Sequence, residues 1–174
     1  MDQFYPETAK NVVKVFDAAC VDVEYNPEQT CCGKFAFTSG FVEEAKELGE
    51  KFLRDFPNDR PIVGVSASCV GYIKNRYQEL FHNTASHLEY KRLVRNIYEF
   101  TDFLVNKINV VNFGAEFNHK VVYQDTCCSL RELGLKDEGR KLLSNVKGIE
   151  ILEMQRPEVC CGFGGGFFSI QHEA

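Results

Sequence analysis

The eight cysteines are the residues of this sequence best suited to chemistry. Six of them form three adjacent pairs, Cys31-Cys32, Cys127-Cys128 and Cys160-Cys161. Neighbouring cysteines can join one another only through a strained ring, so the pairs are not typical of structural disulfides. Clustered cysteines in a chain without a secretion signal are typical of metal binding or redox chemistry.

The spacing of these cysteines repeats along the chain. Cys31-Cys32-Gly33 aligns with Cys160-Cys161-Gly162 at an offset of 129 residues (160 minus 31). In the first half 36 residues separate the doublet from Cys69, and in the second half 32 residues separate Cys127 from the doublet. Superposing the halves gives one cysteine, a doublet with glycine and a further cysteine. Each half keeps three of these four positions.

The predicted elements around the cysteines would bring the sulfurs of each half together. Cys69 and Cys127 each follow a predicted strand, and the carboxyl ends of parallel strands open into the crevice where α/β proteins bind ligands. A doublet in a loop before a helix lies near amide groups that favour thiolate. Gly33 and Gly162 allow the backbone to turn tightly there. Soft anionic sulfur selects iron–sulfur clusters, zinc or copper(I).

Two cysteines stand outside this pattern. Cys20 comes four residues after Phe16 on the apolar face of the first predicted helix, where a cysteine usually fills the core as a small hydrophobic residue. Cys128 follows a pattern position and has no counterpart in the first half. It is either an extra ligand or a structural residue.

Helices and strands alternate along the chain. Helical periodicity predicts helices from about residue 6 to 20, over 41–56, over 88–105 and over 136–144. Apolar or alternating runs predict strands over 21–25, 61–66, 120–123 and 149–152. This order predicts an α/β fold of two similar half-modules with mostly parallel sheets. We expect residues 1–110 to form the first cysteine-rich repeat and residues 111–174 the second.

Composition excludes several classes of function. The chain has 174 residues, and 44% hydrophobic residues are enough to form a core. A net charge of -5 disfavours binding to nucleic acid or to an anionic membrane surface. The sequence has neither an 18-residue apolar run nor a secretion signal, so we expect a cytoplasmic protein without a membrane span.

Four segments of the sequence carry a resemblance to a known family. They are Asp2-Gln3-Phe4-Tyr5-Pro6-Glu7, Gln29-Thr30-Cys31-Cys32-Gly33, Ser66-Ala67-Ser68-Cys69-Val70-Gly71 and Glu158-Val159-Cys160-Cys161-Gly162-Phe163-Gly164-Gly165. With these motifs the chain resembles the cysteine-rich CCG-domain family of iron–sulfur proteins, and within it most of all the lactate-utilisation branch. The resemblance spans nearly the whole chain.

The resemblance implies an iron–sulfur subunit of the [4Fe–4S] type. It would transfer electrons, together with other subunits of a lactate-oxidising complex, in the oxidation of L-lactate to pyruvate. The implied ligands are Cys31, Cys32 and Cys69 for one cluster, and Cys127, Cys160 and Cys161 for the other.

The sequence departs from the family pattern at three places. In heterodisulfide reductase, a related member, a second cysteine follows three residues after the strand-end cysteine, and here that position is Tyr72. The family has a strand that ends in cysteine before the segment at residues 2–6. The repeat also predicts a closing cysteine about 36 residues beyond Cys161. We therefore expect a chain clipped at both ends, with each cluster one ligand short.

Other interpretations of the cysteines remain open. A zinc-binding or metal-free interaction module would use the thiolates only to hold the fold. Thiol–disulfide exchange is a further possibility, although the sequence contains no Cys-x-x-Cys motif. The glycine-rich run after Cys161 suits a phosphate loop, but no Lys-Ser or Lys-Thr follows it.

Overall fold

A computed structural model describes residues 5–57 and 60–162. Its α-helices are α1 (Pro6–Ala18), α2 (Lys34–Thr38), α3 (Val42–Asp55), α4 (Ala67–Phe81), α5 (His87–Asn96), α6 (Phe100–Asp102) and α7 (Glu138–Ser144). Its strands are β1 (Ile62–Gly64), β2 (Ile97–Glu99), β3 (Lys120–Tyr123) and β4 (Glu150–Glu153). Two short π-helices, π1 (Phe103–Lys107) and π2 (Cys128–Glu132), complete the described elements.

The strands form two small parallel sheets. β1 pairs with β2, with Ile62 opposite Ile97. β3 pairs with β4, with Lys120 opposite Glu150. In the first sheet β1 is followed by α4, which carries Cys69, and in the second sheet β3 is followed by Cys127 and π2. This arrangement confirms the predicted α/β class with two similar parallel-sheet units.

The long helix predicted over 88–105 is wrong. α5 ends at Asn96, and the next three residues form β2, the partner of β1. The buried Glu99 carboxylate then accepts hydrogen bonds from the amides of Thr101 and Asp102 and so caps α6. Pairing with a distant strand overrides the helical periodicity of this segment.

Two expectations near the end of α1 are also wrong. The structure has no strand over 21–25, and none of the described strands pairs with this segment. Cys20 does not fill the core. It is exposed, lies beyond the last residue of α1 and has a positive φ of 56°. The helix packs instead through Phe16, whose ring contacts Phe103 at a centroid distance of 5.9 Å.

The main core is built around α4. Its side chains Tyr72, Ile73, Tyr77 and Phe81 are at most 2% exposed. α3 approaches closely because Gly49 has no side chain, and a Cβ there would lie 2.7 Å from Phe81 Cζ. α5 and β2 contribute Leu93 and Ile97 to the same core. The helix that packs this core also carries Cys69 in its first turn.

The two halves meet where α4 contacts π2. Asn75 Nδ2 donates a hydrogen bond to the carbonyl oxygen of Glu132 at 2.8 Å. Gly71 leaves room for the Glu132 side chain, since an added Cβ would lie 2.8 Å from Glu132 Cβ. This contact brings together the helical turns that follow Cys69 and Cys127.

No helix of the described residues is both long enough and apolar enough to cross a membrane.

Gly71→Ala tests the contact between α4 and π2. An alanine in a helix interior is ordinarily more favourable than glycine by about 1 kcal/mol. Here we expect the opposite sign, a loss of about 1–3 kcal/mol in the free energy of unfolding, because the new methyl group meets the Glu132 side chain. Urea unfolding measures the change. A gain in stability would mean that the two elements are not packed in this way.

Candidate metal centre

The structure brings together Cys31, Cys32 and Cys69, although 36 residues separate the doublet from Cys69. The doublet immediately precedes Gly33 and α2, whereas Cys69 lies in the first turn of α4. The Cys32 thiol interacts with both of the other thiols and shifts the pKa of each. Cys32 is 4% exposed, Cys69 is partly buried and Cys31 is exposed. We call these three residues the first thiol group.

The thiols of the first group shift one another's pKa values. The hydrogen bonds of Cys32 to Cys31 and Cys69 raise the pKa of Cys32, and burial adds to this shift. The same hydrogen bonds lower the pKa of Cys31 to about 6 and the pKa of Cys69 to about 6. The Ser66 side chain also lowers the pKa of Cys69 by a hydrogen bond. At neutral pH Cys31 and Cys69 therefore have thiolate character, and Cys32 keeps its proton and donates the hydrogen bonds.

Gly33 fixes the turn that presents the doublet. Its φ is +88°, and an added Cβ would lie 2.9 Å from the carbonyl oxygen of Ala45. Only glycine fits such a position without strain. The Gly33 amide donates to Cys31 Sγ at 3.4 Å. Gly162 has a φ of +75° and donates to Cys160 Sγ at 3.5 Å, so the two doublets share one local geometry.

Two tyrosines lie on the buried side of the first thiol group. The Tyr77 hydroxyl donates to the carbonyl oxygen of Cys32 at 3.0 Å. The Tyr72 hydroxyl is buried and has no hydrogen-bond partner among the described residues. Burial raises the pKa of Tyr72 most, and the nearby Cys32 and Cys31 raise it further. Tyr72, at the position where a related protein has cysteine, therefore brings an unused polar group beside the thiols.

The second thiol group is formed by Cys127, Cys128 and Cys160. Burial raises the pKa of Cys127 most, and the neighbouring thiols of Cys128 and Cys160 raise it further. Cys127 and Cys128 are partly buried, and Cys160 is exposed. Cys161 is also exposed. Cys128, the neighbour of Cys127 in sequence, therefore also belongs to the thiols that surround Cys127.

Contacts between two loops hold Cys160 near Cys127. The Asp125 amide donates to the carbonyl oxygen of Pro157 at 2.9 Å. Gln124 Nε2 donates to the carbonyl oxygen of Val159 at 3.0 Å. The buried Asp125 carboxylate also forms a two-pronged ion pair with Arg140, at 2.6 and 3.2 Å. These bonds join the end of β3 to the loop that carries the second doublet.

The donor set of the first group fits a thiolate-bound metal or iron–sulfur cluster. Among the described residues, no three ligand-type side chains already stand in an arrangement that could hold a metal ion. The first three thiols instead share hydrogen bonds, and a metal would have to displace the proton of Cys32. Two features favour such a group: closely spaced thiols with lowered pKa values and the unpartnered Tyr72 hydroxyl beside them.

Alkylation of Cys31 tests the shared proton. We expect the metal-free protein to react with iodoacetamide at Cys31 with a half-maximal rate near pH 6, because only the thiolate is nucleophilic. Cys32→Ala removes the hydrogen-bond donor and should move the midpoint toward the ordinary thiol value of about 8.5. Cys20→Ser serves as the control and should leave the midpoint unchanged. Peptide mass spectrometry over a pH series gives each rate, and equal midpoints with and without Cys32 would contradict the shared proton.

Tyr72→Phe tests the unpartnered hydroxyl. A buried hydroxyl without a hydrogen bond is costly, so its removal should raise the free energy of unfolding of the metal-free protein by about 1 kcal/mol. Tyr77→Phe is the matched control. It removes a hydroxyl that is bonded to Cys32 and should lower the same free energy by about 1 kcal/mol. Equal losses in the two variants would show that the Tyr72 hydroxyl has a partner.

A comparison with family models finds a match to this chain. The model of a family described as a cysteine-rich domain, CCG, matches residues 1–74 and 121–174. These two segments contain all the cysteines of both thiol groups. The comparison with solved structures finds no match.

Several bacterial proteins are similar over almost the whole chain. Lactate utilization protein A 2 of Bacillus cereus is 37% identical over 167 residues, which are 95% of this chain and 69% of that protein. Lactate utilization protein A of Geobacillus kaustophilus is 38% identical over 168 residues, 96% of this chain and 70% of that protein. Lactate utilization protein A of Oceanobacillus iheyensis is 36% identical, over 95% of this chain and 68% of that protein.

The family model matches two segments, and each segment contains one of the two thiol groups. The similar proteins align with almost the whole chain. The chain belongs to the cysteine-rich CCG-domain family, as a relative of lactate utilization protein A.

Proposed function

We propose that this chain is an iron–sulfur electron-transfer subunit of a system that oxidises L-lactate to pyruvate. The observation that carries the proposal is the convergence of Cys31, Cys32 and Cys69 into one thiol group. Thiolates packed this closely repel one another unless a cation lies among them, and soft sulfur favours iron–sulfur clusters. The names of the similar proteins support lactate as the fuel of the system.

The proposed ligands keep the pattern of the two repeats. Cys31, Cys32 and Cys69 would hold one cluster, and Cys127, Cys160 and Cys161 the other. An iron–sulfur cluster supplies one-electron chemistry when bound, and the protein supplies ligation, burial and electrostatics. Cys128 is an alternative to Cys161 in the second set, and its effect on the pKa of Cys127 supports that alternative.

The residues around the first group have supporting tasks. Gly33 turns the chain so that its own amide points at Cys31, and such amides stabilise anionic sulfur. The Tyr77 hydroxyl anchors the backbone of Cys32. The tyrosine rings and the core of α4 exclude water from the inner side of the group. The unpartnered Tyr72 hydroxyl is available to donate a hydrogen bond to a bound sulfur atom.

The wider setting follows from the same proposal. The chain would act in the cytoplasm with other subunits of a lactate-oxidising complex, which supply and receive the electrons. Residues 1–110 would form the first cluster-binding repeat and residues 111–174 the second. The proposal assigns the binding of lactate to a partner subunit.

Anaerobic reconstitution with iron and sulfide tests the cluster. We expect broad visible absorption that bleaches on reduction with dithionite, together with acid-labile sulfide. Cys69→Ala should remove about half of the iron and sulfide, because it breaks one of two proposed sites. Cys127→Ala should remove a similar amount, and the double variant nearly all of it. Cys20→Ala is the control, since Cys20 is exposed and lies outside the repeated cysteine pattern, and it should bind iron and sulfide like the unchanged chain.

Each outcome of the reconstitution has a definite meaning. Colourless protein that retains stoichiometric zinc under the same conditions would replace the iron–sulfur proposal with a structural zinc module. Equal loss of iron in the Cys20 control and in the Cys69 variant would show that the iron is bound nonspecifically. Reduction of a loaded cluster by an L-lactate-oxidising partner, but not in the absence of L-lactate, would support the place of the chain in that system.

A further inference from the structure

Lys34 lies between the two thiol groups. It is the first residue of α2 and follows the Cys31-Cys32-Gly33 motif directly. Its ammonium nitrogen lies 3.4 Å from the carbonyl oxygen of Ser68 and 3.8 Å from Cys128 Sγ. Ser68 precedes Cys69, a member of the first group, and Cys128 belongs to the second. One side chain thus contacts the surroundings of both groups.

A carboxylate completes the contact. Glu132 Oε1 lies 3.4 Å from Lys34 Nζ and 3.7 Å from Cys128 Sγ. Glu132 is the last residue of π2, and its carbonyl accepts a hydrogen bond from Asn75 of α4. Arg76 also interacts electrostatically with Glu132. Lys34 is therefore fixed at the junction of the halves by partners from α4 and from π2.

The ion pair between Lys34 and Glu132 is partly buried, which strengthens the electrostatic effect of Lys34 on nearby sulfur atoms. The Lys34 side chain is 25% exposed, and the Glu132 side chain is 35% exposed. An ammonium held this close to sulfur in a partly dehydrated site acts more strongly than a charge in open solvent.

The repeat does not supply a second such charge. The offset of 129 residues that aligns the two doublets places Phe163 at the position equivalent to Lys34. The residue after the first doublet and glycine is thus cationic, and the residue after the second is apolar. Lys34 reaches from the first half into the second, and the sequence provides no reciprocal lysine at the matching position.

We propose that Lys34 is a positioning residue that joins the two cysteine groups and supplies a positive charge to the centres they hold. Because reduction adds one electron and makes a centre more negative, a fixed cation beside it stabilises the reduced state. The charge role rests on the proposed iron–sulfur function. The joining role rests only on the contacts of Lys34 and holds for the metal-free chain as well.

Three variants separate charge from shape. Lys34→Met keeps an unbranched side chain of similar length and removes the charge. Lys34→Arg keeps the charge. Lys51→Met is the matched control. Lys51 also donates to a backbone carbonyl, that of Glu28, and also pairs with a carboxylate, that of Asp55, but neither of these partners is a cysteine or a neighbour of one.

Redox titration of the anaerobically loaded proteins with dithionite tests the charge role. At a fixed potential we expect the ratio of reduced to oxidised centres in Lys34→Met to fall about tenfold, which equals a shift of about 59 mV for a one-electron couple. Lys34→Arg should restore most of the ratio, and Lys51→Met should leave it unchanged. Equal ratios in Lys34→Met and the unchanged chain would overturn the charge role.

Hydrogen exchange of the metal-free proteins tests the joining role. We expect the amides of residues 128–132 to exchange about fivefold faster in Lys34→Met, because π2 loses an ion pair to the first half. Lys51→Met should leave these amides unchanged. Unchanged exchange in Lys34→Met would overturn the joining role. If no variant binds iron and sulfide, the proposed function and the charge role both fail, while the exchange rates still decide whether Lys34 joins the halves.

Discussion

Repulsion between neighbouring thiolates is the constraint on which this structure depends. Cys31, Cys32 and Cys69 are close enough to share hydrogen bonds, and three full negative charges at that spacing would be strongly unfavourable. The metal-free chain meets the constraint with a proton on Cys32, an amide from Gly33 and the ammonium of Lys34. A bound cation would meet it more completely, since it replaces the proton and neutralises all three sulfurs.

The fold that holds the sulfurs together depends on close backbone approaches. Gly33 sits against the carbonyl of Ala45, Gly49 against Phe81 and Gly71 against Glu132. Each glycine lets an element come nearer than a side chain would allow, and two of these contacts lie beside a thiol group. Tyr72 and Tyr77 then fill the space behind the first group. The site and the core are thus built by the same helix, α4, so a change that loosens the core also displaces Cys69.

Local sequence signals predicted the tight turns at the glycines that follow the doublets, and they predicted the α/β class. Both depend on turn geometry and short periodic runs. They failed over residues 88–105, where β2 forms only because β1 lies beside it. The sequence analysis also did not predict α4, although Val70, Ile73, Tyr77 and Phe81 recur at helical spacing. The contact between Lys34 and Cys128 spans 94 positions of sequence. A lysine directly after the Cys31-Cys32-Gly33 motif could have indicated the residue, but its partner in the other half follows only from the packing of α4 on π2.

The two halves share a motif, yet the surroundings of their sulfurs differ. The first group has a deeply buried member, Cys32, and lies against tyrosine rings. In the second group Cys160 is exposed. The loop that carries it is held by hydrogen bonds that Asp125 and Gln124 donate to its carbonyl oxygens. Burial and nearby dipoles set the potential of an iron–sulfur centre as much as its ligands do. A common cysteine pattern therefore does not imply a common potential, and the unequal packing of the halves would make two such centres chemically distinct.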